Sequence, residues 1–294
     1  MEPNNFLYKY TTYKAALKIF SSLTMKWSCA IEFNDPFDSR AGTFNIDKKA
    51  LGIQMDEIIY EILFNNAGYE PFIGTSMYNI IQLLLKIPPA QRKEIYRDMK
   101  IKDIGGDAWK FAERKFEQDW EIARKRLFAM LCLTENENHP LMWSHYADSH
   151  SGVVIKFKRV NEGDTLVYEA EKVEYNDDLV SFAFNHEDFL NHIFGKTKLN
   201  AKSIFERCLL RKGKVWEYEN EWRCKKPKTS QEYETFEFVS FRPYEVDSVF
   251  LGCRMDEENE KSILDILSKK LKHVSVYKYV LDDRAFKNTL IRVV

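Results

Sequence analysis

Three short stretches of the 294-residue chain carry side chains able to do chemistry. In "LMWSHYADSHSG" (141–152), Trp143, His145, Tyr146, Asp148 and His150 fall within eight positions. Trp143 and Tyr146 are three apart, as are His145 and Asp148, so one helical turn can present rings on one side and polar groups on the other. Trp143, beside Met142, suits a core. Tyr146 suits either a core or a flat nucleobase or nicotinamide, since stacking of this kind is worth roughly 1–3 kcal/mol on nucleic-acid bases. His145 and His150 are five apart and lack the glutamate of the helical zinc motif, so no metal site is expected. In "WEYENEWRCKK", Glu217, Glu219 and Glu221 alternate, which on a strand puts them on one face with Tyr218, Asn220 and Trp222 on the other. Three like charges on one face repel unless cations or substrate hydroxyls meet them. Arg223 and Lys225 share their parity and could neutralise the ladder; otherwise the pattern fits a glutamate that steadies a sugar cation, or a metal-binding acid. In "NDPFD", Asn34, Asp35 and Asp38 could hold a cation or a ribose hydroxyl, although turn formation alone accounts for Asn-Asp-Pro.

The elements that position these stretches follow from periodicity. Phe6–Tyr10 reads as a strand, Thr11 or Thr12 as the cap of a helix with Ala15, Ala16, Ile19 and Phe20 on one face, and Met25–Cys29 as a second strand stopped by "NDPFD". From about 47 to 127 the spacing is helical, including a long amphipathic stretch with Trp109, Phe116 and Trp120 on a similar face. "LFAMLCLT" and "GVVIKFK" are strands that bracket the Trp143–Tyr146 turn. Beyond them come one or two strands in "TLVYEAEKVEYND", a helix over 186–212, a strand in "EYENEWRCKKP", and a strand, helix, strand, strand ending. Asp256 caps the last helix, with acidic residues in its first turns and lysines near its end, which suits the helix dipole. The expectation is one α+β domain, 1–294, with an all-helical insertion at about 47–127.

Lys plus Arg total 44 against 45 Asp plus Glu, so no bulk positive charge attracts nucleic acid, although "LLRKGK" places Arg211, Lys212 and Lys214 in a local basic patch. No signal-like start or membrane span is present, so a soluble cytoplasmic protein is expected. Five scattered cysteines without a C-x-x-C pair suggest buried thiols rather than disulfides or zinc.

"LYKYTT", "NDPFD", "LMWSHYADSHSGVVIKF", "WEYENEWR" and "VFLGCRM", in this order, resemble the bacterial domain-of-unknown-function family 2971. More distantly, the chain is similar to proteins of the ADP-ribosyltransferase fold, which implies a mixed, mainly antiparallel sheet core. These often begin with a strand reading Tyr-His-x-Thr or Tyr-Arg, carry a central aromatic or serine segment beside the nicotinamide, and end their motif set with a glutamate on a strand. The resemblance implies that Tyr8, Lys9 and Thr11 meet NAD, that Tyr146 with Ser144 or His145 flanks the nicotinamide, and that Glu221 is the catalytic acid with Glu219 beside it. Lys9 departs from the pattern, holding a phosphate as a point charge without the fork of arginine. The activity so implied is cleavage of the nicotinamide–ribose bond, with ADP-ribose passed to an unknown protein or nucleic-acid acceptor or to water, in a bacterial defence or toxin setting. The alternatives are a metal-dependent nuclease using Asp35 or Asp38 with Glu219 or Glu221 and Lys225, and a non-catalytic recognition module.

Overall fold

The computed structural model describes residues 5–40, 42, 47–65, 76–101, 114, 117–159, 165–180, 187, 190–191, 194–197, 201–229, 233–285 and 287–294. In chain order its elements are β1 (Phe6–Thr11), α1 (Tyr13–Ser22), β2 (Thr24–Ser28), α2 (Lys48–Phe64), α3 (Ser76–Leu85) and α4 (Pro89–Ile101). There follow β3 (Phe128–Thr134), α5 (Pro140–Tyr146), β4 (Val153–Lys158), β5 (Glu171–Lys172), β6 (Glu174–Tyr175), α6 (Ala201–Leu209) and β7 (Arg211–Lys212). The chain ends with β8 (Glu221–Pro227), β9 (Phe236–Ser240), β10 (Val246–Leu251), α7 (Glu257–Lys270), β11 (Ser275–Leu281) and β12 (Asn288–Arg292). Contacts divide it into a unit of 1–39, 122–177 and 210–294 and a second unit of 40–121 and 178–209. No helix among the described residues is long and apolar enough to cross a membrane.

The first unit is α+β, built on a mainly antiparallel sheet in the order β12-β11-β10-β4-β1-β3-β2-β9, with β8 on β3 and β5 on β8. Among the described residues, β10 and β11 are the one parallel pair of this large sheet, and α7 is the connection that allows it. Alternation along the strands divides the side chains between two faces. Leu7, Ile155, Phe157, Val249 and Leu251 pack with Ala16, Ile19 and Phe20 of α1 and Ile263 and Leu267 of α7. The neighbouring positions Tyr8, Tyr10, Val154 and Phe250 pack with Met142 and Trp143 of α5. Thr12 caps α1 by accepting the Ala15 amide, and Asp256 caps α7 by accepting the Asn259 amide at 2.8 Å.

The sheet forks at β3. One edge of β3 pairs with β8 from Phe128 to Thr134, while the other meets β2 at Met130–Ser28 and β1 at Thr134–Tyr8. Between those two points Lys9 Nζ donates to the Cys132 carbonyl at 2.9 Å. A buried backbone acceptor would otherwise lack a partner at this opening.

The second unit is helical. Leu51, Ile62, Leu63, Ile81, Leu84, Leu190 and Phe194 form its core. Arg92 donates to the carbonyls of Leu63, Leu84, Leu85 and Ile87, meeting acceptors that helix ends leave over. The helical stretch expected at about 47–127 falls mostly here, and 178–209 joins it. Trp109 and Phe116 lie outside the described residues. The expected single helix over 186–212 is corrected: residues 194–197 form a turn and bend, α6 runs only from Ala201 to Leu209, and Arg211 and Lys212 form β7, paired in parallel with β6.

Candidate active site in the sheet fork

A cleft of about 280 Å³ lies at the fork within the first unit. Its lining includes Tyr8, Lys9 and Tyr10 of β1, Asn34 and Asp38 of the loop after β2, Cys132 and Thr134 of β3, Met142 and Tyr146 of α5, and Lys212, Glu219 and Glu221. The last three come together through a local fold-back. Lys212 ends β7, Gly213 follows, residues Lys214–Glu219 form a 3-10 turn, Asn220 adopts a left-handed conformation (φ 42°), and Glu221 starts β8. Asn tolerates that conformation better than most residues. The Thr134 hydroxyl donates to the Glu219 carbonyl, and Asn136 Nδ2 donates to the Tyr218 carbonyl at 2.6 Å, so the end of β3 anchors the turn.

The expected glutamate ladder is therefore corrected. Only Glu221 lies on a strand, Glu217 is exposed on the 3-10 turn, and Glu219 ends that turn. Alternating Glu, Tyr, Glu, Asn, Glu imitates a strand, but the anchors from β3 and the left-handed Asn220 bend the chain instead.

The fold-back aims seven- and nine-residue neighbours at one ammonium. Lys212 Nζ lies 2.5 Å from Glu219 Oε2, 3.0 Å from Glu221 Oε2 and 3.8 Å from Asp38 Oδ2. Arg223, with no exposed surface, uses all five of its donors. Nε reaches Glu221 Oε1 at 2.7 Å and Nη2 reaches Glu221 Oε2 at 3.0 Å. Nη1 and Nη2 reach the two Asp38 oxygens at 2.9 and 2.6 Å, and Nη1 also reaches Ser39 Oγ at 3.1 Å. Glu219 is differently placed. Its Oε1 accepts from the Tyr146 hydroxyl at 2.6 Å, and Asn34 Nδ2 donates to that hydroxyl at 3.4 Å.

These environments drive the two glutamates apart. Burial alone would raise the Glu221 carboxyl, but Arg223 and Lys212, with the hydrogen bonds of Arg223 and the Cys132 thiol, hold it well below the usual carboxylate range. Burial raises the Glu219 carboxyl, and the neighbouring Glu221 anion adds to this. The short ion pair to Lys212 and the Tyr146 hydrogen bond offset only part of it. Burial works against the Lys212 ammonium too, yet Glu221, Glu219 and Asp38 together raise it above its ordinary value. Tyr146 is kept protonated by burial and then by the Glu219 charge. Glu221 thus has its oxygens occupied and stays ionised, whereas Glu219 has acceptor capacity to spare and a proton affinity displaced upward. Separated acidities of this kind mark acid–base roles.

Of the residues expected from sequence, Tyr8, Lys9, Asn34, Asp38, Tyr146, Glu219 and Glu221 line the cleft. Thr11, Asp35, Trp143, Ser144 and His145 are not among its lining residues. Asp35 makes a turn, its Oδ1 accepting the Phe37 amide at 2.9 Å. Trp143 is core, its indole donating to Asn138. Ser144 bonds back to the Pro140 carbonyl, and His145 is exposed beside the Trp216 ring. Lys225, expected near a metal in a nuclease, pairs with Glu171. Among the described residues no group of three His, Cys, Asp or Glu is arranged to hold a metal ion. Sequence spacing missed Lys212, which read as part of a basic patch. Arg223 was visible through its shared parity with Glu221.

A model of the family described as "Protein of unknown function (DUF2971)" matches residues 142–224, which include Tyr146, Lys212, Glu219, Glu221 and Arg223. No curated protein and no solved structure matches the chain.

Proposed function

We propose that the cleft is an ADP-ribosyltransferase-like site that cleaves the nicotinamide–ribose bond of NAD and passes ADP-ribose to a protein or nucleic-acid acceptor or to water. The observation that carries this reading is that Lys9, Tyr146 and Glu221, far apart in the chain, line one cleft with Glu219 hydrogen-bonded to Tyr146. The cleft is small against the roughly 300–1,000 Å³ of typical ligand sites, which suits one end of a dinucleotide. Nicotinamide leaves with the electron pair of the C–N bond, so positive charge develops on the ribose as in glycoside hydrolysis. Glu221, fixed as an anion, stabilises that charge through its field. Glu219 accepts a hydrogen bond from a ribose hydroxyl or takes the proton of the incoming nucleophile. Lys9 spends one of its three N–H groups on Cys132 and keeps two for a phosphate.

Nicotinamide release from NAD tests the reading. Wild type releases it, and Glu221→Gln does so about a hundredfold more slowly, the usual worth of one preorganised electrostatic group. No release from wild type, or equal release from Glu221→Gln, overturns it. One observation favours a second reading, a binding module without turnover: Lys212 and Arg223 already neutralise most of the carboxylate charge. NAD or partner binding without nicotinamide release supports that module.

A further inference from the structure

We propose that Lys212 is the positioning residue of this site, its ammonium holding Glu219 and Glu221 together and keeping Glu219 against Tyr146. The role in catalysis rests on the NAD-cleaving reading; the geometry does not. Lys212 approaches both carboxylates at hydrogen-bonding distance, 2.5 and 3.0 Å, and among the described residues it is the cation that meets Glu219. Its own backbone is fixed on both sides. Tyr175 pairs with it across the β6–β7 ladder, and the Asn176 amide donates to its carbonyl at 2.9 Å. One face of the Trp216 ring lies over the ammonium, 5.0 Å from the ring centre, which limits the directions in which the side chain can move. The long lysine side chain thus loses its usual freedom, and two carboxylates that would repel are held two residues apart in sequence on one charge.

The charged and titratable groups around Glu219 are Tyr146 from α5, Lys212 from β7, Glu221 and Arg223 from β8, Asp38 from the loop after β2, and Tyr175 from β6. Of these, Lys212 is the cation that bonds Glu219 directly, while Arg223 is spent on Glu221 and Asp38. Lys212→Met should then let Glu219 swing from Tyr146, gain proton affinity and lose turnover, while an ion pair that only stabilised the fold would change the melting point and the Glu219 midpoint and leave kcat unaltered.

The test is a titration of the full chain labelled with ¹³C in its glutamate carboxyls, with Glu219 identified by its loss in Glu219→Gln. In Lys212→Met the Glu219 midpoint rises relative to wild type, and in Lys212→Arg it returns towards the wild-type value. Nicotinamide release by Lys212→Met falls in kcat by about a hundredfold, the scale on which small misplacements act, with KM for NAD nearly unchanged. Its acid limb moves to higher pH with the Glu219 midpoint. Should Lys212→Met fail to fold, Lys212→Met/Glu221→Gln removes one charge of each sign, and its Glu219 midpoint is read against that of Glu221→Gln alone, so that the difference reports the loss of Lys212. An unmoved Glu219 midpoint in a folded variant overturns the proposal. A wild type without nicotinamide release sinks the NAD reading, while the titration still decides the role of Lys212 in holding Glu219.

Discussion

Asp38, Glu219 and Glu221 bring three carboxylates to two cations, Lys212 and Arg223, in a buried cluster. Arg223, with all five donors used, is its structural pin. Arg223→Met should lower unfolding free energy by about 3–5 kcal/mol in denaturant titrations, because it strands buried charges. Glu221, depressed, contributes stability that is present above the ordinary carboxyl value near 4.3 and is lost as pH falls below it. Glu219 has the opposite sign: its raised carboxyl costs stability as pH climbs through and above that ordinary value. Glu219→Gln should therefore be more stable than wild type at pH 7 in denaturant titrations, with no gain in acid. If it is also inactive, the residue trades stability for activity, as functional groups do. A destabilised Glu219→Gln at pH 7 would assign Glu219 a structural role instead. Strand parity put Arg223 on the face of Glu221 as part of a surface ladder it could neutralise, and the structure shows that pair buried. Residue identities could not reveal Lys212, because its reach to Glu219 depends on a 3-10 turn whose anchors, Thr134 and Asn136, lie some eighty residues earlier.

Of the strands at the fork, β1, β2 and β3 were readable from strand-like runs bounded by turn residues, as was β4 beside β1, and α1 and α7 were readable from their caps. The turn after α5 was not. Asp148, Ser149 and His150 all have positive φ, 46°, 51° and 72°. Left-handed conformations cost an L-residue about 1–2 kcal/mol each, so something must hold the turn. Asp148 Oδ2 accepts the Tyr13 amide at the start of α1, the His150 carbonyl accepts the Arg254 amide at 2.9 Å, and the His150 ring stacks on Trp143. The turn therefore ties α5, and Tyr146 with it, to α1 and to the end of β10. Ser149→Gly should raise the denaturant midpoint, adding about 0.5–1 kcal/mol once the extra freedom of glycine in the unfolded chain is subtracted. Gly252→Ala should do the reverse, since a Cβ there would lie 2.6 Å from the His150 carbonyl carbon. Forced overpacking of this kind costs about 1–3 kcal/mol. Equal stability of Gly252→Ala and wild type would show that the turn can yield.

Composition anticipated a large core and no bulk basic charge, and the mixture of strands and helices, with the helical segment, was evident from spacing. That 178–209 belongs with 40–121 was not evident, because residues distant in sequence join that unit through long-range packing such as Leu190 and Phe194 with Ile81, and no local pattern reports it. The cleft has the same character: it gathers side chains from Tyr8 to Glu221, and only the fork of the sheet at β3 brings them together. Its assembly is most directly tested by soaking crystals of the protein with nicotinamide. The proposed site predicts the pyridine ring in the fork, against Tyr146 and within contact of the Glu219 carboxylate. Nicotinamide bound elsewhere, or a cleft that stays empty at saturating nicotinamide, would contradict it.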